Sequence, residues 1–279
     1  MSAEPDRLIQ ERRRLEAVYA KREREGIEAV SNSLFTPEIF FLEQEMQRAI
    51  LQALKRMGIN SIAAGQRDLL EVGCGRGRWV RWFLDCGFRR PTGVDLIESH
   101  IKEAASLSRA ANWIRADVTC LPLPSESFDI IFTSRMFSSI LDVETRRQGA
   151  AELRRVLRPG GSILWVDLCH PAKDPRVEQP GSWVHPLTRD EVRTLFPGAE
   201  FSWTRFGIDP VWSGRLTSLA NRGLFRSLVH QVPFMKKRIA WPRIPMARFP
   251  YFWMQALASL GFGRVYDLSV VRWHVRADA

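Results

Sequence analysis

The sequence predicts an α/β protein built on a doubly wound, mostly parallel sheet, with helices before it and a helix-and-strand extension after it. Three observations carry that expectation. From Asp68 onward, short β-rich runs (LLEV, TGVDL, FDIIFTS, SILWVDL) alternate with helical stretches at 78–86, 98–109 and 144–157, the pattern of strands joined by crossover helices. The first run empties into a turn with glycine at 73, 75 and 77, followed directly by the helical run RWVRWFLDCG. The second run reaches Asp95, 18 residues after Gly77, at the strand end where ligands bind in sheets of this kind.

The elements follow in order. Residues 4–26 alternate in charge and place Leu8, Leu15, Val18 and Tyr19 near helical spacing, which predicts an amphipathic helix ending near Gly26. After a loop with Ser31, Asn32 and Ser33, Pro37 opens a second helix that runs to about Met57 and stops at Gly58. The expected organisation is a helical lid over residues 1–60, a ligand-binding core over 61–170, and a part from 171 to 279 that completes the sheet and the acceptor pocket. Within the core, Asp142 stands where a helix begins and reads as its cap, while Gly160 and Gly161 read as a turn with Pro159. Thr188 and Glu191 have capping-box spacing at the head of a short helix, TRDEVRTLF. Farther on, 213–230 and 248–260 read as helices separated by PRIPMARFP, and YDLSVVRWHV reads as a final strand.

Composition narrows the class of protein. With 45% apolar and 26% charged residues over 279 positions, the chain is expected to bury a substantial core. The charged N-terminus lacks the apolar stretch of a signal peptide, and no long apolar run predicts a membrane span. Cys74, Cys86, Cys120 and Cys169 are scattered, so reduced thiols in a cytoplasmic protein are expected and a metal site is not. The net charge of +10 is concentrated late: residues 200–279 hold 12 Lys and Arg against 4 Asp and Glu, interleaved with Trp203, Trp212, Trp241, Trp253 and Trp273. Such a segment suits an anionic or lipid-linked acceptor or peripheral membrane contact, and equally a solvated basic face over an aromatic core. Nothing in the sequence fixes an oligomeric state.

The glycine stretch carries the chemistry. Glycines strip side chains from the turn so that a ligand can approach backbone, and the following helix start offers free N–H groups. Asp95 has two oxygens with which to accept from two vicinal ribose hydroxyls. The dinucleotide fingerprint spaces its glycines differently, with the third one residue later, and Glu71 before the turn would repel a pyrophosphate while suiting a cationic or amine-bearing ligand.

Glu71-Val-Gly-Cys-Gly-Arg-Gly77, Asp95, Asp117 in RADVTCLPLPSESFD, the run FDIIFTS, and LRRVLRPGG before SILWVDL resemble, in order and spacing, the class I S-adenosylmethionine-dependent methyltransferases over residues 62–170. The resemblance implies a Rossmann-like fold, S-adenosyl-L-methionine as cofactor, and a cofactor site of Glu71, Gly73, Gly75, Gly77, Asp95, Leu96, Asp117, Val118 and Ser134. Asp117 would lie beside the adenine. More loosely, the N-terminal helices, FSSILD and ILWVDL resemble methyltransferases of polysaccharide and natural-product pathways. Acceptor chemistry belongs at the carboxyl ends of the fourth and fifth strands, which makes His170 and Asp167 the candidate catalytic residues, with His185 behind them. TSRMFSS stands where amine-on-base enzymes carry an N/D-P-P-Y stretch, so O-methylation of a small-molecule or glycan-type acceptor in a biosynthetic pathway is favoured over nucleic acid, with N- and C-methylation left open. The alternatives are an RNA- or protein-modifying methyltransferase and a non-catalytic partner protein that keeps the cofactor fold.

Overall fold

The strand β1 (Leu69–Val72) is buried along its whole length, which is why LLEV does not alternate in polarity. In the computed structural model, which describes residues 3–27, 37–168, 183–206 and 266–273, this strand is the middle of the parallel array. It pairs in parallel with β2 (Thr92–Asp95), with Val72 opposite Val94, and with β4 (Phe128–Ser134), with Val72 opposite Thr133. Strand β3 (Asn112–Arg115) pairs with β2, and β5 (Leu157–Leu168) pairs with β4 so that Ser134 faces Val166. Two further strands, β6 (Glu200–Phe206) and β7 (Tyr266–Arg272), complete a seven-stranded sheet of order β3-β2-β1-β4-β5-β7-β6. The chain reverses its direction of travel across the sheet between β1 and β4, and that switch point opens a crevice at the strands' carboxyl ends.

Helices α1 (Ala3–Arg24) and α2 (Pro37–Arg56) precede the sheet, with the short turn of helix α3 (Ser61–Ala64) leading into β1. The crossovers are α4 (Arg78–Asp85), α5 (Glu98–Leu107) and α6 (Val143–Val156), and α7 (Arg189–Leu195) precedes β6. Two local expectations are met directly. Asp142 accepts the Thr145 amide at the head of α6, and Thr188 and Glu191 form a reciprocal capping box at the head of α7. The core on one face of the sheet joins Leu70, Ile131, Leu153, Trp165, Val192 and Val271, so β1, β4, β5, β7, α6 and α7 share one apolar layer.

The structure departs from the sequence reading at three strands. The segment at Pro159 and Gly160 is not a turn ahead of β5 but part of it: the strand begins at Leu157, opposite Phe128, and a register shift between Phe128 and Ile130 absorbs the extra residues. Gly161 is required there because a Cβ would stand 2.9 Å from the Asp129 carbonyl oxygen. β3 and β6 were not expected as strands. The expected helices at 213–230 and 248–260 lie outside the described residues.

By its internal contacts the chain divides into two units, one of residues 1–28, 49–204 and 267–279 and the other of residues 29–48 and 205–266. The site described below is in the first. Among the described residues no helix is long and apolar enough to cross a membrane, and no group of three or more His, Cys, Asp or Glu is placed to hold a metal ion.

Candidate cofactor site

The glycine turn is tied to the end of β2. The amides of Gly73 and Cys74 both donate to the Val94 carbonyl, at 2.8 and 3.0 Å, and the Gly77 amide donates to Cys74 at 2.9 Å. Gly75 and Gly77 hold left-handed backbone, with φ of 51° and 72°. Their surroundings differ. At Gly77 a Cβ would fall 2.2 Å from the Trp113 ring of β3, whereas at Gly75 no atom lies within 4 Å of that position. One glycine makes room for protein, and the other leaves open space beside the acid of β2. Gly77 also ends the turn as the N-cap of α4, where no side-chain hydrogen bond caps the helix.

Asp95 is clamped by backbone. Its Oδ2 accepts the Gly75 amide at 2.7 Å and its Oδ1 accepts the Ile97 amide at 2.9 Å. Each carboxylate oxygen then keeps one lone-pair direction for a ligand hydroxyl. Glu71 is buried within β1, between Gly93 of β2 and Phe132 of β4. Burial, and then the charges of Glu71 and Asp95, push the Cys74 thiol well above the usual range, so Cys74 is a neutral filler under the turn.

The remaining expected cofactor residues stand at or just after the ends of β2, β3 and β4. Leu96 is half-buried after β2 and its carbonyl accepts from Arg115 at 3.2 Å. Asp117 spends one oxygen on its own turn, accepting from the Thr119 amide and hydroxyl at 2.9 and 2.8 Å. Val118 packs against α6, where a Cβ at Gly149 would meet its methyl carbons at 3.1 Å. Ser134 ends β4 half-buried, and the next residue, Arg135, is held at φ 55°, a conformation that costs a non-glycine residue about 1–2 kcal/mol.

The carboxyl ends of β4 and β5 are built around buried charge. Asp167 is 1% exposed and accepts the Ser138 amide at 3.0 Å, so it pins the 3-10 turn Phe137–Ser139 to the end of β5. Arg146 of α6, which the sequence reading passed over, is buried and donates to the Leu141 carbonyl at 3.1 Å. Burial draws its guanidinium below the usual range, against the pull of Glu191, Asp142, Glu11 and Asp167. His185 donates its amide to Ser138 and places Nε2 3.2 Å from Glu191. His170 lies outside the described residues.

Helix α1 crosses these strand ends. Glu11, buried, accepts the Leu141 amide at 2.6 Å and pairs with Arg14, which reaches the Ser139 carbonyl. Farther along, Glu16 stands 3.6 Å from Arg115, and Glu23 accepts from Ser99 and pairs with Arg76 at 3.5 Å. Tyr19 sets its ring edge-on against His100 of α5 at 5.6 Å and against Trp183 at 6.4 Å, and Arg22 lies over Trp183 at 4.2 Å. Neither the anchor Glu11 nor His100 was singled out from the sequence: Glu11 reaches Leu141 and Tyr19 reaches His100 across long stretches of chain, and the closeness of His100 to Asp95 carries no motif.

Residues 69–161 match the family model described as a methyltransferase domain. Over that segment the chain is similar to methyltransferase domains, and its fold is Rossmann-like. Among curated proteins, the chain is 33% identical over 123 residues to the malonyl-[acyl-carrier protein] O-methyltransferase of Serratia marcescens, covering 44% of this chain and 46% of that one. It is 28% identical over 142 residues to the O-methyltransferase resE of Aspergillus sclerotiorum, covering 49% and 53%. The chain thus spans about half the length of the curated relatives it matches. A solved protein from Pyrococcus horikoshii shares the fold, with a TM-score of 0.50 at 16% identity over 63% of this chain and 90% of that one.

Proposed function

We propose that the protein transfers a methyl group from S-adenosylmethionine to an oxygen of a small-molecule or carrier-linked acceptor in a biosynthetic pathway. The observation that carries this reading is the Asp95 carboxylate, fixed by two backbone amides beside the open face of Gly75. Asp95 would hold the ribose, and Asp117, Leu96 and Val118 would border the adenine. Glu71, Gly73, Gly77 and Ser134 would shape the methionine end. The bound cofactor supplies an activated methyl on a sulfonium, so the protein's task is to bind, align and exclude water.

For the acceptor, the names of the relatives favour a carboxylate on an acyl carrier or a comparable small acid. A carboxylate arrives without a proton to lose, and this agrees with Asp167 being committed to the Ser138 amide. A hydroxyl acceptor needs a base, and His170, which follows β5, is the residue placed in sequence to supply one. In this reading α1 forms the lid, and the basic charge of residues 200–279 favours an anionic acceptor.

Calorimetric titration with S-adenosylhomocysteine, with NADH as control, tests the cofactor. Micromolar binding of the former alone is expected, and Asp95→Ala should weaken it by ~1.5–3 kcal/mol through loss of a charged acceptor. Unchanged affinity in that variant removes Asp95 from the site. Transfer of labelled methyl to malonyl-carrier thioesters, small acids or phenols then tests the acceptor class. Cofactor binding without transfer to any of them would instead support a partner protein that keeps the fold.

A further inference from the structure

We infer that His100 is a positioning residue for the cofactor: it steadies the Asp95 carboxylate from the side and ties that carboxylate to the docking of α1. The inference rests on Asp95 being the ribose acid. His100 lies in the first turn of α5, five residues after Asp95, and is 4% exposed. Its Nδ1 stands 3.4 Å from Asp95 Oδ1, and neither ring nitrogen has a hydrogen-bond partner. An imidazole buried in this way loses its water without a replacement bond, at a cost to folding.

The geometry shows what that cost accomplishes. The Gly75 and Ile97 amides take one lone pair on each carboxylate oxygen, which leaves one on each for two vicinal hydroxyls. A further hydrogen bond from protein would occupy a position the ribose needs. At 3.4 Å, beyond the usual N–H···O range, Nδ1 instead supports the negative charge as a nearby dipole and leaves those lone pairs open. The ring is itself held by Tyr19, whose edge meets it at an interplanar angle of 86°. Asp95, His100 and Tyr19 therefore form a continuous contact from the cofactor acid to α1.

The test is the affinity of the full chain for S-adenosylhomocysteine in four variants. His100→Leu fills the pocket without a polar atom and should bind about tenfold more weakly. His100→Asn keeps an N–H where Nδ1 stands and should restore most of the affinity, whereas His100→Gln, which places it at Nε2, should not. Combining His100→Leu with Tyr19→Ala should weaken binding no further than His100→Leu alone, because the two residues act through one contact. Wild-type affinity in His100→Leu overturns the inference. So does equal weakening in the Leu and Asn variants, which would make the residue a space-filler, or rescue by Gln alone. If His100→Leu does not fold, the comparison of the Asn and Gln variants decides. Failure of the wild-type chain to bind is a different result: it overturns the cofactor reading itself and the inference with it.

Discussion

Gly75 and Gly77 are two residues apart and share a left-handed backbone, yet an added methyl group meets opposite conditions at the two positions. Gly75→Ala should cost stability only the backbone strain of about 1–2 kcal/mol while placing a methyl in the open space where the proposed function puts the cofactor. Gly77→Ala carries the same strain and also drives Cβ into the Trp113 ring, adding about 1–3 kcal/mol of overpacking. Thermal unfolding should therefore fall further in Gly77→Ala, whereas Gly75→Ala should combine a milder loss of stability with weakened binding of S-adenosylhomocysteine. Equal stability losses would contradict the difference in surroundings. At this scale the sequence was informative where the signal is local. Glu71, the glycines and Asp95 are readable because strand, turn and strand end fix their relations within a few residues. Arg146 was not, because the carboxylates around it come from four separate parts of the chain. The same holds for Trp113, whose reason for being large is a glycine 36 residues earlier.

Among the elements, α1 has the most to say about pH. Burial tends to raise the Glu11 pKa, but the Arg14 guanidinium and the Leu141 amide outweigh it and leave the carboxyl below its ordinary range. A lowered folded-state pKa means that Glu11 contributes its full stabilisation above the unfolded value, about 4.3, and loses it as pH falls through the folded value. Amide protection across residues 11–24, taken relative to the intrinsic exchange rate at each pH, should accordingly hold from neutral pH down to about 5 and fall only below the usual carboxylate range. Glu11→Gln should exchange fast in that segment at neutral pH already. Wild-type protection in the variant would show that α1 is held elsewhere. The helix itself was legible from its charge alternation, but its docking was not, because Leu141 and Ser139 are more than a hundred residues away. Capping at Asp142 and Thr188 was legible for the converse reason, since a cap reaches only three residues. The missed strand β3 is four residues long, with no buried face to set a pattern.

At the level of the whole molecule, β7 is the strand on which the far half of the sheet depends. It comes last in the chain but lies between β5 and β6, with Leu268 and Val271 buried. Its Asp267 is fully buried and accepts from Arg189 of α7 through both oxygens, at 2.7 and 3.0 Å. Asp267→Asn should lower stability by about 2–4 kcal/mol, nearer the lower figure because Arg189 keeps some water. A denaturant titration in which the midpoint does not move would show the pair to be incidental. A final strand was expected from YDLSVVRWHV, but its place was not, because strand order depends on which edge a returning segment meets first.

That placement also bears on how the protein is made. When β5 leaves the ribosome its outer edge has no neighbour, and the strand that will cover it begins 98 residues later. At ordinary rates of synthesis the wait is about 5–20 s. Throughout that interval Trp165 and its neighbours sit behind an open strand edge on an incomplete nascent chain, the kind of surface to which chaperones bind and at which aggregation begins. The parallel strands β1 to β5 can assemble early, but the sheet closes only after translation has passed residue 272.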